Sequence, residues 1–263
     1  MTTAMPSPAV VVRTSSGWKG FGLVAWYSFW KLLTNPFSLG FAILLPIFMY
    51  MMFGAGRDYS DIWTVHANVA ATVLVNMTLY GVIIETSSMG ANVALERTSG
   101  ISRLYALTPL SSTALTLARA LASMCIAAVV IAVTFTVGAL TGARMEGAAW
   151  ASVCAILLVT SVMPATIGLA IAFAVRSDGA FAASSAVTVL SSFAAGMFIP
   201  IEQMGQFWAR LAPWTPFYGI SQIAQCPLYG WEAFKWSWIA SIAVWTALFG
   251  LLAVWAQQRD TAR

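Results

Sequence analysis

Few residues in this chain are placed to make or break covalent bonds. His66 is the only histidine, and no second His, Cys, Asp or Glu stands at a spacing that would let it share a metal ion. No serine has a credible base in the same region to activate it. The pattern G-x-x-x-x-G-K-[ST], whose backbone N–H groups would cradle a nucleotide phosphate, does not occur. Neither enzymatic turnover nor a bound cofactor or metal is therefore expected of this chain. Its remaining polar residues suit two other tasks: gripping a soluble partner, and receiving a solute inside an apolar surrounding.

The first task points to Asn92–Arg119, a polar, charged stretch between long apolar runs. It offers Glu96-Arg97, then Gly100, then an amphipathic run from Ile101 to Leu107 that contains Arg103, Leu104 and Tyr105, then Thr108-Pro109-Leu110. Pro109 ends a short helix, and Ser111 or Ser112 can cap the next one. A short helix braced by two membrane helices is a stiff lever. Leu104, Tyr105 and Leu107 could fill an apolar groove on a partner, as in helix-in-groove docking. The plainer alternative is a solvated connection, which a handful of residues would provide.

The second task points to polar residues inside apolar runs. Asn68, Thr72 and Asn76 recur every four positions and stack on one helix face, with Tyr80 continuing the stripe. Ser184, Ser185, Thr188, Ser191 and Ser192 give another polar face. In hydrocarbon such groups turn inward, toward neighbouring helices or a water-accessible cavity. They either glue helices together or line a translocation path. Glu85 is the one acidic residue well inside such a run; pairing with Arg119 or Arg103, snorkelling or a proton relay are its open readings.

The elements that must hold these residues follow from composition. Of 263 residues 60% are hydrophobic and 8% charged, against about 25% charged in an average soluble domain. A bilayer is the alternative solvent, and a spanning helix needs about 20 mostly apolar residues. Six spans are expected, near 37–53, 64–89, 112–140, 148–175, 180–198 and 237–256, with Pro46 and Pro164 kinking the first and fourth. A turn at Arg176–Gly179 joins the fourth to the fifth, and an aromatic segment, 199–236, joins the fifth to the sixth. Residues 18–35 carry Trp18, Phe21, Trp26, Phe29 and Trp30 between Lys19 and Lys31; they read as a helix lying on the membrane surface. The expected division is residues 1–36 as N-terminus and surface helix, 37–256 as the transmembrane domain, and 257–263 as tail.

With the N-terminus inside, inner segments hold Arg13, Lys19, Lys31, Arg97, Arg103, Arg119, Arg176, Arg259 and Arg263. Outer segments hold Arg57, Arg144, Arg210 and Lys235, each with an acidic neighbour. The positive-inside rule then puts both termini and the loop at 92–111 in the cytoplasm. The net charge of +4 is no sign of nucleic-acid binding. The opening residues have neither a basic region followed by a long apolar core nor a lipidation pattern, so insertion through the chain's own spans is expected. Cys125 and Cys154 lie in apolar runs, where cysteine acts as a small hydrophobe, and Cys226 has no obvious mate.

At the polar loop the chain resembles the membrane subunits of ATP-binding cassette (ABC) exporters of the type-2 permease class. Their E-R/K-x-x-G stretch, followed by leucines, a T-P-hydrophobic turn and a later L-x-x-(R/K), matches Glu96, Arg97, Gly100, Leu104, Leu107, Thr108, Pro109, Leu110, Leu115 and Arg119. The likeness extends to the surface helix before Asn35-Pro36, the proline of the first span, the Gly196–Pro200 exit from the fifth, and Pro213–Tyr218. It implies six all-α spans per subunit, working as a dimer with a second permease copy, identical or a sister chain. It implies a coupling helix near 92–110 docked on a separate ATPase present in two copies, which binds ATP and Mg. The second and fifth spans would line the substrate path. Segment 199–236 would form re-entrant helices at an extracellular gate that includes Phe198, Pro200, Trp208 and Trp214. The members export drugs, antibiotics, peptides, lipids or polysaccharide precursors, and a half-size permease without a fused ATPase is a bacterial arrangement, which places this chain in the bacterial inner membrane. The mild, uncharged path faces favour an amphipathic or apolar cargo. Two rivals from other classes are a self-sufficient secondary transporter and a non-transporting membrane scaffold.

Overall fold

The computed structural model describes residues 17–101, 108, 110–175 and 177–261, and within them every regular element is helical. The ten α-helices are α1 (Phe21–Leu33), α2 (Pro36–Phe53), α3 (Val69–Thr98), α4 (Ser112–Leu140), α5 (Gly147–Thr160), α6 (Val162–Ala174), α7 (Ser177–Ala194), α8 (Gln206–Leu211), α9 (Tyr218–Tyr229) and α10 (Trp236–Thr261). Short 3₁₀ turns precede α8, α9 and α10. Four stretches are long and apolar enough to cross a membrane: Val69–Arg97, Thr113–Leu140, Gly147–Ala174 and Trp236–Ala256. Two further apolar helices, Leu39–Phe53 and Gly179–Ala194, are shorter.

Local chemistry sets the boundaries. Asn35-Pro36 stops α1 and starts α2 with proline at the first helical position, where its absent N–H costs nothing. Residues 64–68, expected as helix, instead turn back on themselves: both the backbone N–H and the hydroxyl of Thr64 donate to the Ala67 carbonyl, at 2.8 and 2.7 Å. Asn68 then caps α3 by accepting from the Ala71 N–H at 3.0 Å. At its other end α3 continues through Thr98, so residues 92–98 of the expected loop are helical. Ser111, not Ser112, caps α4, accepting from the Ala114 N–H. The fourth apolar run is two helices meeting at Ser161, three residues before Pro164. The helix expected to reach Phe198 ends at Ala194, where Gly196 turns with φ 77°.

Helix α3 is the hub, in contact with α2, α4, α5, α6, α7 and α9. Its Leu74, Leu79 and Ile83 are fully buried with Ile126 and Ile131 of α4 and Ile167 of α6. The α3–α6 crossing is backbone against backbone. A Cβ on Gly90 would lie 1.9 Å from the Gly168 carbonyl oxygen, and one on Gly168 would lie 2.3 Å from that of Ser87. Without a hydrophobic force between helices in lipid, such close approach through small residues is what holds them together. Sequence reading passed over this pair, although the Ser87, Gly90, Ala91 and Ala94 spacing in α3 and the Gly168, Ala172 spacing in α6 carry the small-residue signal. Helix α10 packs on α6 and α9 and leaves Val244, Leu248, Leu251 and Trp255 exposed.

Candidate functional site

The end of α3 that leads into the polar loop is tied down on three sides. The Glu96 carboxylate accepts from the Lys31 ammonium of α1 at 2.7 Å, and from the Arg119 guanidinium of α4. The Glu96 and Arg119 side chains are each only 12% exposed. Arg97 points the other way: it donates to the Ala172 carbonyl at the end of α6, 2.7 Å away, and its guanidinium lies 5.0 Å from the centre of the Phe173 ring. Arg97 thus meets a helix C-terminus, where a cation is favoured, and an aromatic face. The Glu-Arg pair that sequence reading placed in the coupling loop thus clamps α1, α4 and α6 to α3.

Beyond the clamp, Ser99 ends the helix and Gly100 adopts φ 77°, a left-handed turn that favours glycine. Thr108 is exposed. Arg103, Leu104, Tyr105, Leu107 and Pro109 lie outside the described residues. On the return side, Leu110 forms a bridge with Trp18, and the Ser111 N–H donates to the Gly17 carbonyl at 2.8 Å. The segment before α1 thus runs alongside the start of α4. Lys31, the one member of the clamp not singled out as a loop residue, had no local signal: its partner is 65 positions away.

The two polar stripes meet. Tyr80 of α3 and Ser184, Ser185 and Thr188 of α7 line a groove of about 460 Å³, with Phe41, Ile84, Phe181 and Val189 among its apolar walls. Its polar groups are hydroxyls, so it can accept and donate single hydrogen bonds but holds no full charge. Ser184, Thr188 and Ser192 are buried, whereas Ser185 is exposed and Ser191 intermediate. The Ser184 hydroxyl donates to the Ser87 carbonyl at 3.4 Å, a long bond across the α3–α7 seam.

Farther along α3 the stripe turns toward α9. Gln225 Nε2 donates to Asn76 Oδ1 at 3.0 Å, and the Tyr229 hydroxyl lies 3.4 Å from that of Thr72. Asn68 stands apart from the path reading. It is fully buried, its Nδ2 donates to the Gly142 carbonyl, and its Oδ1 accepts from the N–H groups of Ala71 and Arg144. Its side chain is spent on backbone, closing α3 against the α4–α5 turn. His66 joins the same turn: Glu146 N–H donates to its carbonyl, and its Nδ1 lies 3.1 Å from the Glu146 carboxylate.

Of the four residues assigned to a gate, Phe198 packs on the groove residue Tyr80, edge-on at 4.8 Å between ring centres, and lies 4.7 Å from Phe193. Pro200 is exposed and opens a 3₁₀ turn. Trp208 contacts Phe207, and Trp214 is 78% exposed. Among the described residues no ring contact joins either tryptophan to Phe198.

The family model for ABC-2 family transporter proteins matches residues 64–255, from the turn before α3 into α10. The chain belongs to this family. The match takes in the Glu96-Arg97 clamp, both stripes and the aromatic segment of this ABC-2 permease. No curated protein matches the chain. An ABC-2 permease is the membrane component of a transporter and is not itself the catalyst; the family normally works with an ATPase subunit. The apolar helices of this one make it a membrane protein.

Proposed function

We propose that this ABC-2 permease is the transmembrane subunit of an ATP-driven exporter in the bacterial inner membrane, moving an amphipathic or apolar, drug-like compound outward. In this reading α2, α3, α4, α5–α6, α7 and α10 are the six spans, both termini are cytoplasmic, and α1 lies at the inner surface. Two copies of the permease, identical or a sister pair, work with two ATPase subunits that bind ATP and Mg. Residues 101–107 dock on the ATPase.

The observation that carries the reading is the clamp at Glu96-Arg97. Work done on the loop must reach several helices together, and the clamp ties α1, α4 and α6 to the helix that enters the loop. Across the seam between α3 and α7, the bond from the Ser184 hydroxyl to the Ser87 carbonyl is long. Closure of the ATPase dimer would then move the clamped helices as one body against α7, opening the groove behind Tyr80 and Phe198 in turn to the two sides. A groove with hydroxyls and no full charge suits a cargo that is apolar with a few polar groups.

Two results test this. Changing Leu104 and Leu107 together to Asp places two charges on the docking face, and the ATPase is expected to be lost from the purified complex while membrane insertion is unchanged. Normal co-purification and normal cargo-stimulated ATP hydrolysis would refute the docking role. Asn76→Leu removes the acceptor that holds Gln225, leaving a polar group near the path without that bond. The ratio of transport rates between a polar and an apolar cargo should move by about fivefold, the equivalent of about 1 kcal/mol, with basal ATP turnover little changed. A cargo panel handled as before would mean that the stripe only packs.

A further inference from the structure

A second groove lies beside the clamp, between α1, α3 and α4. It is an open groove of about 470 Å³, counting the solvent at its mouth, and the transport reading assigns it no ligand. Its rim carries Ser28, Lys31 and Asn35; Leu32, Met89 and Val93 give it apolar walls. Glu96 and Arg119 also border it, so with Lys31 the local charge sums to one positive unit. Lys31 is the accessible part of that charge. One of its three N–H bonds goes to Glu96, and its side chain is 44% exposed.

The surroundings set the class of ligand. On α1 beside the groove, Trp26, Tyr27 and Trp30 are 63%, 60% and 52% exposed, an array of amphipathic rings of the kind that sits at headgroup level. Immediately after Asn35 the chain enters α2, whose Leu44 and Phe48 stand exposed as hydrocarbon-facing residues do. A groove at that level meets phosphodiesters first. One net positive charge matches the single negative charge of an anionic phospholipid, and the apolar walls can take its glycerol and the first methylenes. A soluble phosphate would gain nothing from those walls.

We propose that this groove binds the headgroup of an anionic phospholipid, with the Lys31 ammonium on the phosphate and Ser28 donating to it. A lipid held there would touch the clamp itself, because Lys31 would then be shared between the phosphate and Glu96.

The test is native mass spectrometry of the full-length permease in detergent, titrated with phosphatidylglycerol, phosphatidylcholine or inorganic phosphate. Wild type should retain phosphatidylglycerol at least about fivefold better than phosphatidylcholine, and inorganic phosphate should not displace it. Lys31→Met, which keeps the stem but not the charge, and Ser28→Phe, which fills the groove while leaving the Lys31–Glu96 pair, should each bring retention down to the phosphatidylcholine level. Lys235→Met, a distant exposed charge, should change nothing. If Lys31→Met fails to fold, Ser28→Phe decides alone. Equal retention of the two lipids, unchanged retention in Ser28→Phe, or displacement by inorganic phosphate would each overturn the proposal, the last by showing a soluble-anion site. None of these readouts depends on cargo or ATP.

Discussion

Glu96→Ala should abolish coupling between ATP hydrolysis and transport, with a fall in cargo export of at least about tenfold. The carboxylate holds Lys31 of α1 and Arg119 of α4 at once, and is itself mostly buried. Removing one partner of a buried ion pair costs about 3–5 kcal/mol; with Lys31 nearly half exposed, the lower end of that range, about 3 kcal/mol, is expected here. The stability loss should be visible as a lowered thermal midpoint of the purified permease, and the loss of coupling as basal ATP turnover that cargo no longer stimulates. The double variant Glu96→Gln with Arg119→Met separates the causes. If the damage comes from stranding a cation, the pair should be more stable than Glu96→Gln alone, a non-additivity that contacting residues show and distant ones do not. Strictly additive losses, or a Glu96→Ala variant that exports normally, would remove the clamp from the mechanism.

The other large effect belongs to the α3–α6 crossing. Gly90→Ala is expected to lower stability by more than the ~1–3 kcal/mol usual for overpacking, because the atoms in the way are backbone. The added Cβ would fall 1.9 Å from the Gly168 oxygen and 2.0 Å from its carbon, so one whole helix must move. Gly168→Ala should behave alike, meeting the Ser87 carbonyl. Helix propensity argues for the opposite sign, since alanine favours a helix over glycine by about 1 kcal/mol. Gly40 and Gly250 give the matched controls: both are helical and a Cβ on either meets nothing within 4 Å. Alanine there should be neutral or stabilising. Thermal midpoints of the four variants, read by tryptophan fluorescence in detergent, decide the matter. A Gly90→Ala protein as stable as Gly250→Ala would mean that the two helices do not cross as described.

The division between what could be read along the chain and what could not is clearest at single residues. Glu96 and Arg97 were singled out from their place in a charged stretch expected as a loop; they lie instead in the last turns of α3. Both face inward, onto α1, α4 and α6, and the contacts responsible lie 65, 23 and 75 positions away. Asn68 was grouped with Thr72 and Asn76 by its four-residue spacing, yet a cap and a path residue share that spacing. Only the backbone groups of Gly142 and Arg144, brought to it by the fold, tell them apart. Of the residues assigned to one path from two separate stripes, Ser191 and Ser192 are not among those lining the groove, while Tyr80, Ser184, Ser185 and Thr188 border it together. Phe198 joins them through Tyr80 and Phe193. Trp208 and Trp214 do not: Trp208 packs on Phe207 and Trp214 is exposed.

Sequence by itself determined that this is a helical membrane protein of the ABC-2 family, with a charged loop between its longest apolar runs. Hydropathy and the order of short motifs are properties of the chain read in one dimension, and the cost of placing charge and open backbone in hydrocarbon leaves few alternatives. Tertiary structure alone decided which polar groups are struts and which line a groove. That choice depends on the face each helix turns to its neighbours, and the faces are fixed together, by contacts as close as Gly90 on Gly168, rather than by any one segment's pattern.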